Sequence, residues 1–146
     1  MSANGLEVFD TTIQKTNGWL VDLMKEMGID NRHAAYQTLR AVLHALRDRL
    51  TIEEVADFAA GMPMLVRGFF YEGWRPGREE RPERCEEAFL EDVLRHYGVR
   101  PHGDARGMCT AVFHVLNRHL PPGEIRDVRH QLSGPVRGLW SEEVRV

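Results

Sequence analysis

Leu39-Arg-Ala-Val-Leu-His-Ala-Leu-Arg-Asp-Arg-Leu50 returns seventy residues later as Cys109-Thr-Ala-Val-Phe-His-Val-Leu-Asn-Arg-His-Leu120. Within the first copy Ala35, Leu39, Val42, Leu43, Leu46 and Leu50 recur at threes and fours, the spacing of one apolar helix face. The second copy keeps that stripe with Ala105, Cys109, Val112, Phe113, Leu116 and Leu120. A helix is therefore written twice, and its surroundings repeat with it. Residues 20–72 align on 90–142 without a gap, with 15 identities over 53 positions; random pairing of ordinary compositions gives about three or four. A repeat of this length implies two similar halves.

Working outward, each half reads as four helices. The first starts near Asp10, carries Ile13, Leu20, Leu23, Met24 and Met27 on one face with Trp19 beside them, and stops at Gly28; its counterpart carries Phe89, Leu90, Val93, Leu94 and Tyr97 and stops at Gly98. Asp30 is the expected N-cap of the second helix, because its carboxylate can accept from free N–H groups of the first turn. Thr51-Ile-Glu-Glu54 is a capping box for the third, closed by Gly61; Pro121-Pro-Gly-Glu124 opens its counterpart through the fixed φ of proline. Pro63 opens a short fourth helix through Phe70, matched by one from Gly134 to Trp140. No run alternates strictly, and no hairpin turn sits between β-branched runs, so strands are not expected. The fold class is all-α: about eight helices, in two repeat-related four-helix halves packed as one globular unit. The boundaries read as a tail 1–8, a first unit 9–72, a Pro/Gly/charged linker 73–84, a second unit 85–142 and a tail 143–146.

Composition narrows the functional classes. Lys+Arg is 19 against Asp+Glu 22, a formal net charge of -3, which is the wrong sign for a general nucleic-acid coat. No apolar run approaches the roughly 18 residues of a membrane span, and Met1-Ser2-Ala3-Asn4-Gly5 does not read as a secretory leader. Cys85 and Cys109 form no Cys-x-x-Cys pattern, so two free thiols and a cytoplasmic location are expected.

The chain resembles the bacterial family called domain of unknown function 2267. The resemblance rests on Phe9-Asp10, Trp19-Leu20, the helix Leu39–Leu50 and Pro63-Met-Leu-Val-Arg-Gly-Phe-Phe-Tyr-Glu-Gly-Trp74, and it covers roughly residues 9–142. Met62 stands before Pro63 where leucine is the expected residue. The resemblance implies a small helical protein and no particular activity.

Few residues make a case for chemistry. The seven histidines include no i, i+4 pair with a glutamate, and His114 and His119 diverge on their helix, so no metal site and no cofactor are expected. His44 and His114 are repeat-related, and His44 lies about 140° from the stripe, off the main core face; they are candidates for a shared metal or proton-transfer site but read first as solvated or half-buried side chains. Arg67 and Arg137 recur before glycines. They either clamp an anion between two guanidinium groups or serve structure by bonding a local acid such as Glu72 or Asp57. Cys109 sits on the core stripe as a small hydrophobe. No nucleotide loop, nucleophile elbow or EF-hand pattern is present, and no catalytic residue is assigned.

The leading expectation is a non-catalytic interaction or scaffold module. Its partner is another protein or a second copy, and Phe69, Tyr71 and Trp74 form the exposed aromatic contact. Two alternatives stand beside it. Residues 51–70 superficially read as a helix-turn-helix of a DNA-binding regulator, against which the apolar second helix and the acidic balance argue. The other is a small-anion binder or enzyme built on Arg67/Arg137 and His44/His114.

Overall fold

The structure is a computed structural model describing residues 5–77, 82–98 and 104–141. In the described residues, eight helices follow one another: α1 (Glu7–Met27), α2 (Arg32–Arg47), α3 (Ile52–Ala60), α4 (Met64–Tyr71), α5 (Glu86–Tyr97), α6 (Ala105–His119), α7 (Pro122–Gln131) and α8 (Gly134–Arg137). No strand occurs among them.

Local chemistry sets the ends. Thr51 and Glu54 form the expected capping box, and Gly28 ends α1 at φ 68°, a left-handed turn that glycine adopts without a Cβ clash. The cap of α2 is Asn31 rather than Asp30: its Oδ1 accepts from the Ala34 N–H at 3.0 Å. α8 stops at Arg137, short of the expected Trp140, with Gly138 as its cap. α1 begins at Glu7, inside the stretch expected to be a tail. Part of the expected linker (78–81) and the expected C-terminal tail lie outside the described residues.

The halves are interleaved rather than stacked. α1 packs on α6 and α5 packs on α2, so the first helix of each half lies against the second helix of the other; α2 meets α6 and α3 meets α7. Polar contacts follow the same exchange. Arg49 pairs with Asp92 at 2.8 Å, and seventy residues on and back His119 pairs with Asp22 at 2.6 Å. The Arg49 guanidinium lies 5.1 Å over the Phe89 ring, and His119 stacks 5.3 Å from Trp19. Asp48 meets His96 at 3.0 Å, and Arg118 meets Glu26 at 3.3 Å. In each case a contact between residues i and j recurs between i+70 and j−70, the reciprocity that a twofold operation produces.

This arrangement surrounds α2 and α6 with other helices. Leu39, Val42, Leu43, Leu46, Val112, Phe113 and Leu116 are at most 1% exposed, as their stripes require. Phe113 and Trp140 stack with ring centroids 4.6 Å apart, and the indole N–H donates to Asn117 Oδ1 at 2.8 Å, so the buried ring keeps its polar atom bonded.

Candidate functional site

The aromatic segment sits differently from the expected exposed contact. Phe69 is 7% exposed and Phe70 is fully buried against the Phe58 ring, while Tyr71 and Trp74 are half-buried and pack on the core. The α4 face that follows Val66 by three and four points inward and takes Phe69 with it.

Arg67 and Arg137 do the same structural work twice. Arg67 donates from Nε to Ala59 O (3.2 Å) and from Nη2 to Met62 O (3.1 Å); Arg137 donates from Nε to Arg129 O (2.8 Å) and from Nη2 to Leu132 O (2.8 Å). The acceptors are themselves seventy apart. Each guanidinium therefore satisfies the free carbonyls at the end of the preceding helix, and neither bonds the local acids Glu72 or Asp57 that the structural alternative named. The two do not converge on a shared anion.

His44 and His114 are both buried, at 4% and 8% exposure, rather than half-buried. The face of α2 that looked peripheral is covered by α5 in the interleaved packing. His44 Nε2 donates to Phe69 O at 2.7 Å, and its ring lies edge-on to His96, 5.5 Å away. Burial, aided by the nearby charges of Arg47, His96 and Arg40, pushes the His44 pKa down to about 4, against the upward pull of its bond to Phe69. Asp48 beside it is held below the usual carboxylate range: burial would raise it, but the His96 hydrogen bond and the Arg47 charge outweigh that. His114 takes the equivalent place with a different partner, Glu26 Oε2 at 3.1 Å. The repeat thus keeps the imidazole and changes its surroundings, which is the behaviour of a packing position. Burial also pushes the Cys109 thiol up to about 12, away from nucleophilic chemistry. Among the described residues no three His, Cys, Asp or Glu side chains gather as a metal site; His102 lies outside them.

A pH dependence follows from His44. Below pH 6.5 the unfolded chain takes a proton that the folded protein refuses until about pH 4. Stability is therefore full above pH 6.5 and falls as pH drops through that window. With solvent at the edge of the cluster screening part of the effect, the loss is about 2 kcal/mol. Urea unfolding of wild type and His44→Gln at pH 7 and pH 4.5 should show a smaller acid loss in the variant; parallel losses would remove His44 as the cause.

What the sequence reading missed is an apolar surface on the first half. Of the eight exposed large hydrophobic side chains among the described residues, six fall on two neighbouring elements: Leu6, Val8, Phe9 and Ile13 at the start of α1, and Met64 and Leu65 at the start of α4. Ile13, expected in the core stripe, is 37% exposed. α1 holds 21 residues against 12 in α5, so its first two turns extend beyond the repeated unit. Thr12 Oγ1 accepts from the Leu65 N–H at 2.9 Å and ties this extension to α4. Beside that bond runs a groove of about 670 Å³ lined by Phe9, Ile13, Leu20, Tyr36, Leu65 and Phe69, with Glu72 as its charged lining residue.

The second half provides an internal comparison. At the positions seventy residues on, Phe9, Ile13, Met64 and Leu65 become Glu79, Glu83, Gly134 and Pro135. Where Thr16 and Tyr36 line the groove, Glu86 and Arg106 form an ion pair. The shared core therefore does not require apolar side chains here. The 70-residue offset extended back to position 9 carries this signal in the sequence; the identities begin only at Leu20, and the comparison ends where they do.

Among the described residues no helix is long and apolar enough to cross a membrane. No curated protein matches the chain. Residues 16–139 match the family described as Uncharacterized conserved protein (DUF2267), and the chain belongs to that family.

Proposed function

We propose that the protein is a non-catalytic interaction module whose contact surface is the α1–α4 groove, which keeps Phe69 of the aromatic segment as a lining residue and leaves out Tyr71 and Trp74. One observation carries the reading: exposed apolar side chains concentrate on the α1 extension and the start of α4, and the other half has acids, glycine and proline at the corresponding positions. A contiguous apolar patch costs solubility, and soluble chains seldom keep one beyond a few hundred Å² without a use for it. The remaining candidates are occupied elsewhere: Arg67 and Arg137 cap helices, and His44 and His114 are packed between helices. On α4 the exposed side chains at the groove are Met64 and Leu65, which offer nothing to phosphate, and the exposed Arg67 beside them is bonded to Ala59 O and Met62 O.

A photoreactive phenylalanine analogue at position 9 tests this. Irradiation in the native cell is expected to give a discrete adduct of higher mass, and the same analogue at position 87, on the corresponding face of the second half, is expected to give none. Equal labelling at both positions, or no adduct at position 9, would contradict the reading.

A further inference from the structure

The groove's charges and dimensions restrict what fits it. From Phe9 to Leu20 the α1 wall runs eleven residues, about 16 Å at the helical rise, or three turns. Opposite stands α4 with Leu65, Gly68 and Phe69, the glycine keeping the wall low between two apolar side chains. Three turns of apolar floor between two helices match the anchor spacing i, i+4, i+7 of an amphipathic helix laid lengthwise. The end near the α4 C-terminus is marked by Glu72, which is exposed and whose carboxylate makes no hydrogen bond or ion pair among the described residues. At the other end Glu7 shares a neighbouring cleft with Lys15 and Arg67, so no excess of one charge marks it. Among the described residues no Lys, Arg or His lines the groove. A second copy is a poor occupant, because an isologous contact brings the same lining, which offers no cation to meet Glu72.

We infer that the α1–α4 groove binds an amphipathic helix of another protein, with three apolar anchors on one face and basic residues at the flank that meets Glu72. This rests on the groove being the contact surface, and it adds the chemistry of the partner. The anchors displace water from Phe9, Ile13 and Leu65, and the flanking cations meet Glu72 at its end of the groove. The occupied groove gains a third helix beside α1 and α4, so the surface that α1's extension exposes becomes core.

The test uses two labelled helical peptides of about 16 residues with the same Leu anchors at i, i+4 and i+7, one with Lys on its flanks and one with Glu. Titrated into the full chain by fluorescence anisotropy, the Lys peptide is expected to saturate and the Glu peptide to bind about tenfold more weakly, with the difference shrinking as salt rises. Glu72→Lys should bring the two peptides to within about threefold of each other. Leu65→Glu should abolish binding of both with its helical circular dichroism unchanged; should it unfold, Met64→Glu takes its place. Absence of saturable binding by the Lys peptide, equal binding of the two peptides, or sedimentation showing wild type paired with itself through Phe9 and Leu65 would each overturn the inference. An adduct at position 9 in cells together with any of those results would leave the contact surface standing and remove only this partner class.

Discussion

Truncating Leu46 to alanine is expected to lower the unfolding free energy by about 2–5 kcal/mol, read from equilibrium denaturation. Leu46 is fully buried on α2, which is enclosed by α1, α4, α5 and α6. Its removal takes away transfer energy and leaves a void that helices held from several sides cannot collapse to fill. Leu116, its repeat partner, is equally buried and should cost a similar amount. Losses under about half a kcal/mol at Leu46, the usual size for a surface substitution, would mean that the helix faces elsewhere.

Asp92→Asn is expected to cost about 3 kcal/mol, and the repeat-related Asp22→Asn less than about 1 kcal/mol. The side chains of Arg49 and Asp92 are 6% and 11% exposed, whereas those of His119 and Asp22 are 26% and 21% exposed. Removing the Asp92 charge strands a guanidinium between helices; it keeps its bonds to Ala45 O and Glu83 O but loses the charge that compensates it. Water reaches the Asp22 pair, so screening already weakens it. The two variants occupy the same place in the interleaved design, and they differ in burial and in partner, a guanidinium at Arg49 against an imidazole at His119. Equal effects in thermal or urea unfolding would show that the exchanged contacts are not what sets their energies.

The core was legible because it is written twice. Leu39, Val42, Leu46 and their partners Cys109, Val112 and Leu116 keep a 3.6-residue period in both copies, and no local accident produces that. The exchange of first helices was not legible. A gapless offset specifies which residues correspond but not whether Asp92 meets Arg49 or a neighbour within its own half. His44 was misplaced for the same reason: an angle from the stripe measures one face, and α5 covers another. The apolar groove escaped because a periodic Ile13 reads as core wherever it falls. Its exposure depends on α1 running past the region that α6 covers, a length set by the chain before the repeat begins. The α4 aromatics erred in the opposite direction: Phe69 and Phe70 follow Val66 by three and four and share its inward face, while Met64 and Leu65 take the outward one.

The central claim is that the start of α1 and the start of α4 carry apolar side chains for contact and not for folding. Equilibrium unfolding of Phe9→Gln combined with Met64→Gln, at dilution sufficient to leave any partner unbound, addresses it directly. Both side chains are nearly half exposed, at 46% and 49%. The account predicts a change within about 1 kcal/mol of wild type. A loss above about 3 kcal/mol, the size expected of core truncation, would contradict it.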